Sequence, residues 1–82
     1  KPIRYFGFII IYKKTKQNKK LDSLIGKCIE DAKLAGKVLG FALAEKYYDI
    51  AEKIVKKWIK KHPYDRNAKK LLDSLKALKR RG

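Results

Sequence analysis

Eighty-two residues with 23 Lys+Arg against 8 Asp+Glu carry a formal charge of +15, and a chain this short supports one domain that buries only about 60–65% of its unfolded surface. At 45% apolar and 38% charged residues it is too apolar for charge-driven disorder. A single cysteine, Cys28, excludes an internal disulfide and a multi-cysteine metal site.

The charge is segregated. Residues 1–20 carry seven cations and no acid, 21–46 are balanced, 47–62 carry five cations against two acids, and 63–82 carry seven against two. Basic surfaces around a neutral body point to a polyanionic partner. Lone-cysteine usage fits a reducing, cytoplasmic compartment. The absence of Met, only three Gln or Asn residues and 19 Lys among the cations lean toward a thermophilic, archaeal source, a bias that AT-rich coding also produces.

In chain order, the first feature is the run Tyr5-Phe6-Gly7-Phe8-Ile9-Ile10-Ile11-Tyr12. It falls far short of the roughly 20 residues of a membrane-spanning helix, and Lys13, Lys14 and Lys16 stand where a signal peptide would need small residues. Its β-branched and aromatic content predicts an extended strand with two apolar faces. No second strand follows. The strand is therefore expected either to dock on another protein by edge addition, through Tyr5, Phe6, Phe8, Ile9, Ile10, Ile11 and Tyr12, or to lie across its own helices.

Residues 13–20 contain no apolar side chain and read as a basic arm, completing an N-terminal unit over 1–20 that precedes a helical domain over 21–82. From Leu21 the period changes. Leu21, Leu24, Ile25, Cys28, Ile29, Ala32, Ala35, Leu39, Ala42 and Leu43 recur at three- and four-residue steps, predicting one helix over 22–45 with a possible break near Gly36. Its small residues Ala32, Ala35, Gly36, Gly40 and Ala42 allow close approach of a neighbour.

A second helix is predicted over 49–61, burying Ala51, Ile54, Val55, Trp58 and Ile59 and ended by His62-Pro63. Asp65 is the expected N-cap of a third helix over 66–80 with Ala68, Leu71, Leu72, Leu75 and Leu78 inward. The fold class is thus mainly α: a small three-helix domain, a helical hairpin plus a capping helix, with an extended or β segment in front.

Tyr48-Asp49-Ile50-Ala51-Glu52, then Val55, Trp58 and Pro63 twelve residues after Ala51, resemble the second half of a tetratricopeptide repeat. The first half departs from the pattern, with Ala35, Leu39 and Ala42 at the family's Trp, Gly and Tyr positions and Trp58 where the family prefers Ala. Over residues 32–65 the resemblance implies antiparallel helices at 33–45 and 49–61. Such repeats usually scaffold peptides, for which one unit offers little concave surface.

Catalytic chemistry finds few candidates. His62 lies in a polar turn, Cys28 sits on an apolar helix face with no histidine nearby in sequence, and the adjacent Glu30 and Asp31 diverge by about 100° on a helix. No phosphate- or dinucleotide-binding glycine pattern occurs. No enzyme activity, cofactor, metal or small-molecule substrate is expected.

Three cationic sets remain: Lys13, Lys14, Lys16, Lys19 and Lys20; then Lys53, Lys56, Lys57, Lys60 and Lys61; then Lys69, Lys70, Lys76, Lys79, Arg80 and Arg81. Lys in place of Arg favours backbone phosphates over base reading. The leading expectation is a non-catalytic subunit of a nucleoprotein assembly, binding RNA, ribosomal RNA above all, or DNA without sequence preference. The alternative is an accessory subunit of a polymerase or another nucleic-acid enzyme, docked through the first strand and the hairpin. An acidic membrane surface is disfavoured because the apolar face of the Lys-rich helix is needed as core.

Overall fold

The computed structural model describes residues 2–81 and consists of five helices: α1 Pro2–Lys14, α2 Asn18–Cys28, α3 Ala32–Ala44, α4 Tyr48–Lys61 and α5 Arg66–Arg81. Connections of three or four residues fold each helix back on the one before it. The helical class holds; the three-helix count and the N-terminal strand do not.

Residues 5–12 are helical. An isolated two-faced strand would leave its backbone N–H and C=O groups unpaired, whereas a helix satisfies them internally and tertiary packing overrides β-propensity. In the helix Tyr5, Ile9 and Tyr12 fall on one face. Ile9 is completely buried, with Tyr5, Phe6 and Tyr12 packed around the core. Nor is the basic stretch 13–20 an arm: it is the end of α1, a tight turn and the first residues of α2.

That turn is a Schellman motif. The N–H of Gln17 donates to Tyr12 O at 2.9 Å and that of Lys16 to Lys13 O at 3.3 Å, with Lys16 left-handed at φ 56°. Thirty residues later the same turn recurs. Tyr47 N–H donates to Ala42 O at 2.8 Å, Lys46 N–H donates to Leu43 O at 3.1 Å, and Lys46 has φ 61°. The chain thus contains two stacked helical hairpins, α1–α2 and α3–α4, followed by α5.

The single helix expected over 22–45 is two helices, broken at 29–31 and not near Gly36. Asp31 takes an extended conformation and its carboxylate accepts the Lys33 N–H at 2.9 Å, capping α3. Ile29 and Cys28 stay buried through the break, so the apolar period runs on where the backbone does not.

Between the hairpins Phe6 of α1 stacks on Phe41 of α3 with centroids 4.4 Å apart and planes 10° from parallel. Ile25, Val38, Ala42, Ile50, Ala51 and Ile54 fill the centre. Two ion pairs span the joint at its surface, Lys13 to Asp49 at 3.2 Å and Lys53 to Asp22 at 3.3 Å.

α5 packs on α4 alone, through Ala68 and Leu75. Its start is fixed by Asp65, which accepts the Ala68 N–H at 3.1 Å and the Trp58 Nε1–H at 2.9 Å. No Cα of α3 comes within 8 Å of one of α5. The small edge of α3, Ala32, Ala35 and Gly36, therefore faces an apolar groove of about 280 Å³ floored by Ile54, Val55 and Trp58. Trp58 is half-buried, its ring packed on the core and lining that groove, not enclosed between helices as expected.

A lysine in the left-handed region bears a steric cost of about 1 kcal/mol that glycine does not. Lys46→Gly is expected to stabilise the fold by about 0.5–1 kcal/mol, raising the thermal midpoint by about 3–6 °C. Thermal melts of the two proteins, with Lys46→Val as a destabilised control, check this.

Candidate nucleic-acid interface

Of the sixteen cations in the three sets, four are engaged by acids. Lys13 pairs with both Asp49 oxygens at 3.2 Å and lies 4.9 Å from the centre of the Tyr47 ring. Lys53 pairs with Asp22, and Lys56 and Lys79 converge on Glu52 at 3.0 and 3.3 Å. Glu52 is a buried acid on α4, and these two lysines make its burial tolerable. Two of the five lysines of the α4 stripe are thus neutralised from within.

Lys14, Lys16, Lys19, Lys20, Lys57, Lys60, Lys61, Lys69, Lys70, Lys76, Arg80 and Arg81 make no ion pair among the described residues. All are exposed except the half-buried Lys57. Hairpin topology sorts all but Lys57 and Lys76 into two ends. The turn end holds Lys14, Lys16, Lys19 and Lys20, and also Lys46, which sequence reading passed over; the second turn repeats the first, and that repetition was the available signal.

Because α5 runs back along α4, with Lys79 reaching Glu52, Arg80 and Arg81 return to this same end from the last turn of the last helix. At the opposite end lie Lys60 and Lys61 closing α4 and Lys69 and Lys70 opening α5. The longest dimension is 31 Å, so both ends lie within about nine nucleotides of one strand at 3.4 Å each.

α2 starts with Asn18-Lys19-Lys20, has no acid in its first turn, and receives no side-chain cap from Gln17. Cations against the positive end of a helix repel it, and an anion there removes the repulsion. α5 is the opposite case, since Lys79, Arg80 and Arg81 complement its C-terminal dipole.

The apolar candidates divide. Tyr5, Phe6, Ile9 and Tyr12 face the core and Ile10 is half-buried, whereas Phe8 and Ile11 are exposed. Ile3, which the strand reading left out, is 76% exposed. Cys28 is buried and its thiol is pushed up to about 11 by desolvation, which suppresses thiolate chemistry. The His62 ring lies against Trp58, tilted by 38° with centroids 4.2 Å apart. No three His, Cys, Asp or Glu residues converge as a metal site would require among the described residues, and none of the described helices is long and apolar enough to cross a membrane.

No family model, curated protein or solved structure matches the chain. The hairpin geometry of α3 and α4 therefore stands on its own and carries no family with it.

Three carboxylates sit below their usual range. Hydrogen bonds from Trp58 and from the Ala68 backbone lower Asp65. Glu52 is lowered by the Lys56 hydrogen bond, which with Lys79 outweighs desolvation. For Asp49, burial raises the value but the Lys13 hydrogen bond and charge prevail. A carboxylate lowered in the folded state stabilises it above the unfolded value, about pH 4, and that stabilisation is lost as pH falls through the folded value. Urea midpoints should be flat from about pH 7 to 5 and fall below about pH 4. The triple variant D49N/E52Q/D65N should start lower and show a shallower fall.

Proposed function

We propose that this chain is a non-catalytic helical subunit of a nucleoprotein assembly that grips RNA, ribosomal RNA above all, or DNA through backbone phosphates. One observation carries the reading: ten of the candidate cations, gathered with Lys46 at two ends of a small helical body, have no acidic partner among the described residues. Such clusters repel one another unless an external polyanion neutralises them. Lys predominance gives positional grip without base discrimination. A second reading, an accessory subunit seated on a nucleic-acid enzyme, is favoured by the apolar residues left outward on α1.

Binding to a 20-nucleotide single-stranded RNA, followed by fluorescence anisotropy, should weaken with salt at a slope of log K on log salt of about −3.5 if about five phosphates are neutralised. Scrambled sequences should bind within about tenfold of one another. K14Q/K16Q/K19Q/K20Q should flatten the slope, whereas Lys53→Gln, which removes an internally paired cation, should leave it unchanged. A slope near zero for the unmodified protein contradicts phosphate contact.

A further inference from the structure

We infer that the outer face of α1 is a docking surface for an acidic amphipathic helix of a partner protein, with an apolar or aromatic centre and a carboxylate toward each end. This inference uses a different chemistry from the phosphate reading and shares only Lys14 with it.

The repeat geometry shows what fits there. α3 carries Leu34, Val38, Phe41 and Ala44 along one row; Val38 is completely buried and Phe41 stacks on Phe6 of α1. Thirty residues earlier, the spacing between the two Schellman turns, the matching row of α1 is Arg4, Phe8, Ile11 and Lys14. Where α3 sets Phe41 of this row against Phe6 of α1, the same row of α1 has no described residue against it: Phe8 is 44% and Ile11 52% exposed, with Ile3 beside them. By the repeat geometry the element that fits there is a helix. The outer face of α5 is polar, with Lys69, Lys70, Asp73 and Lys76 exposed; that of α1 is not.

The surface is also prepared for contact. The Phe8 ring stacks on Tyr12 at 5.8 Å and 14°, which fixes an aromatic anchor before binding. A Cβ built on Gly7, beside Phe8, would meet no atom within 4 Å, so an incoming helix finds open space there.

Charge selects the occupant. Arg4 and Lys14 bracket the apolar pair, ten residues or about 15 Å apart along the helix, and residues 2–20 contain no acid. A second copy docking α1 on α1 would set Arg4 against Lys14 twice when antiparallel, or like on like when parallel. A partner helix with carboxylates at matching separation turns both repulsions into attractions.

The test uses two fluorescent 18-residue helical peptides sharing one Leu/Phe stripe, one flanked by Glu about ten residues apart and one by Lys, titrated against the intact protein by anisotropy. The Glu peptide should bind at micromolar concentration and the Lys peptide at least tenfold more weakly. F8E/I11E, at exposed positions with thermal melts as control, should abolish binding. R4E/K14E should invert the preference between the peptides. Failure of the Glu peptide to bind at 100 µM, or equal binding of both peptides, overturns the proposal. So does concentration-dependent dimerisation in sedimentation that F8E/I11E removes, which would assign the face to a second copy. Binding to vesicles of three parts phosphatidylcholine and one part phosphatidylglycerol, lost in F8E/I11E, would assign it to an anionic lipid surface and likewise overturn the proposal.

Discussion

The chain reverses direction at Lys16 and at Lys46 through one and the same left-handed turn, and the register of the whole stack follows from that repetition. A Schellman turn fixes where each first helix stops and starts its successor within three residues. Repeating it after thirty residues places α3 beside α1 and α4 beside α2. The Phe6–Phe41 stack and the Lys13–Asp49 and Lys53–Asp22 pairs then find one another across the joint. Helix propensity alone does not set this geometry, for α1 is rich in β-branched residues; burial of Ile9 and its neighbours does.

Charge and packing are distributed by the same topology. Acids at Asp22, Asp49 and Glu52 are spent where helices meet, so of the candidate cations left unpaired all but Lys57 and Lys76 gather toward the ends of the hairpins. A chain of only 82 residues with a formal charge of +15 thereby concentrates much of its repulsion where a polyanion is free to approach.

What could be read from the sequence, and what could not, has a physical boundary. α4 and α5 were legible because their apolar stripes are bounded by Pro63 and by the capping Asp65. The break at 29–31 was hidden because Ile29 remains buried through it, and a period of buried positions does not distinguish a helix from a buried turn. Asp31 held the missing signal, a capping residue just ahead of an apolar stretch. α1 was misread because a run apolar at nearly every position fits periods of 2 and of 3.6 equally well. The decisive clue was the absence of a partner strand. Among the cations, sequence showed the total but not which were matched: the pairing of Lys13 with Asp49 spans 36 residues and depends on how the hairpins stack.

Trp58 is the chain's only tryptophan, and its placement has a spectroscopic consequence. Its indole N–H is held by the Asp65 carboxylate at 2.9 Å while its ring rests against His62 at 4.2 Å. An indole bound to a helix cap is released when the cap opens, and its surroundings change with it. Intrinsic emission therefore reports the seam between α4 and α5 and is blind to the joint between the two hairpins. The two seams of the molecule can be followed separately in one unlabelled sample, the first by indole emission and the second by the near-ultraviolet dichroism of the stacked Phe6 and Phe41 rings and the edge-on Tyr47.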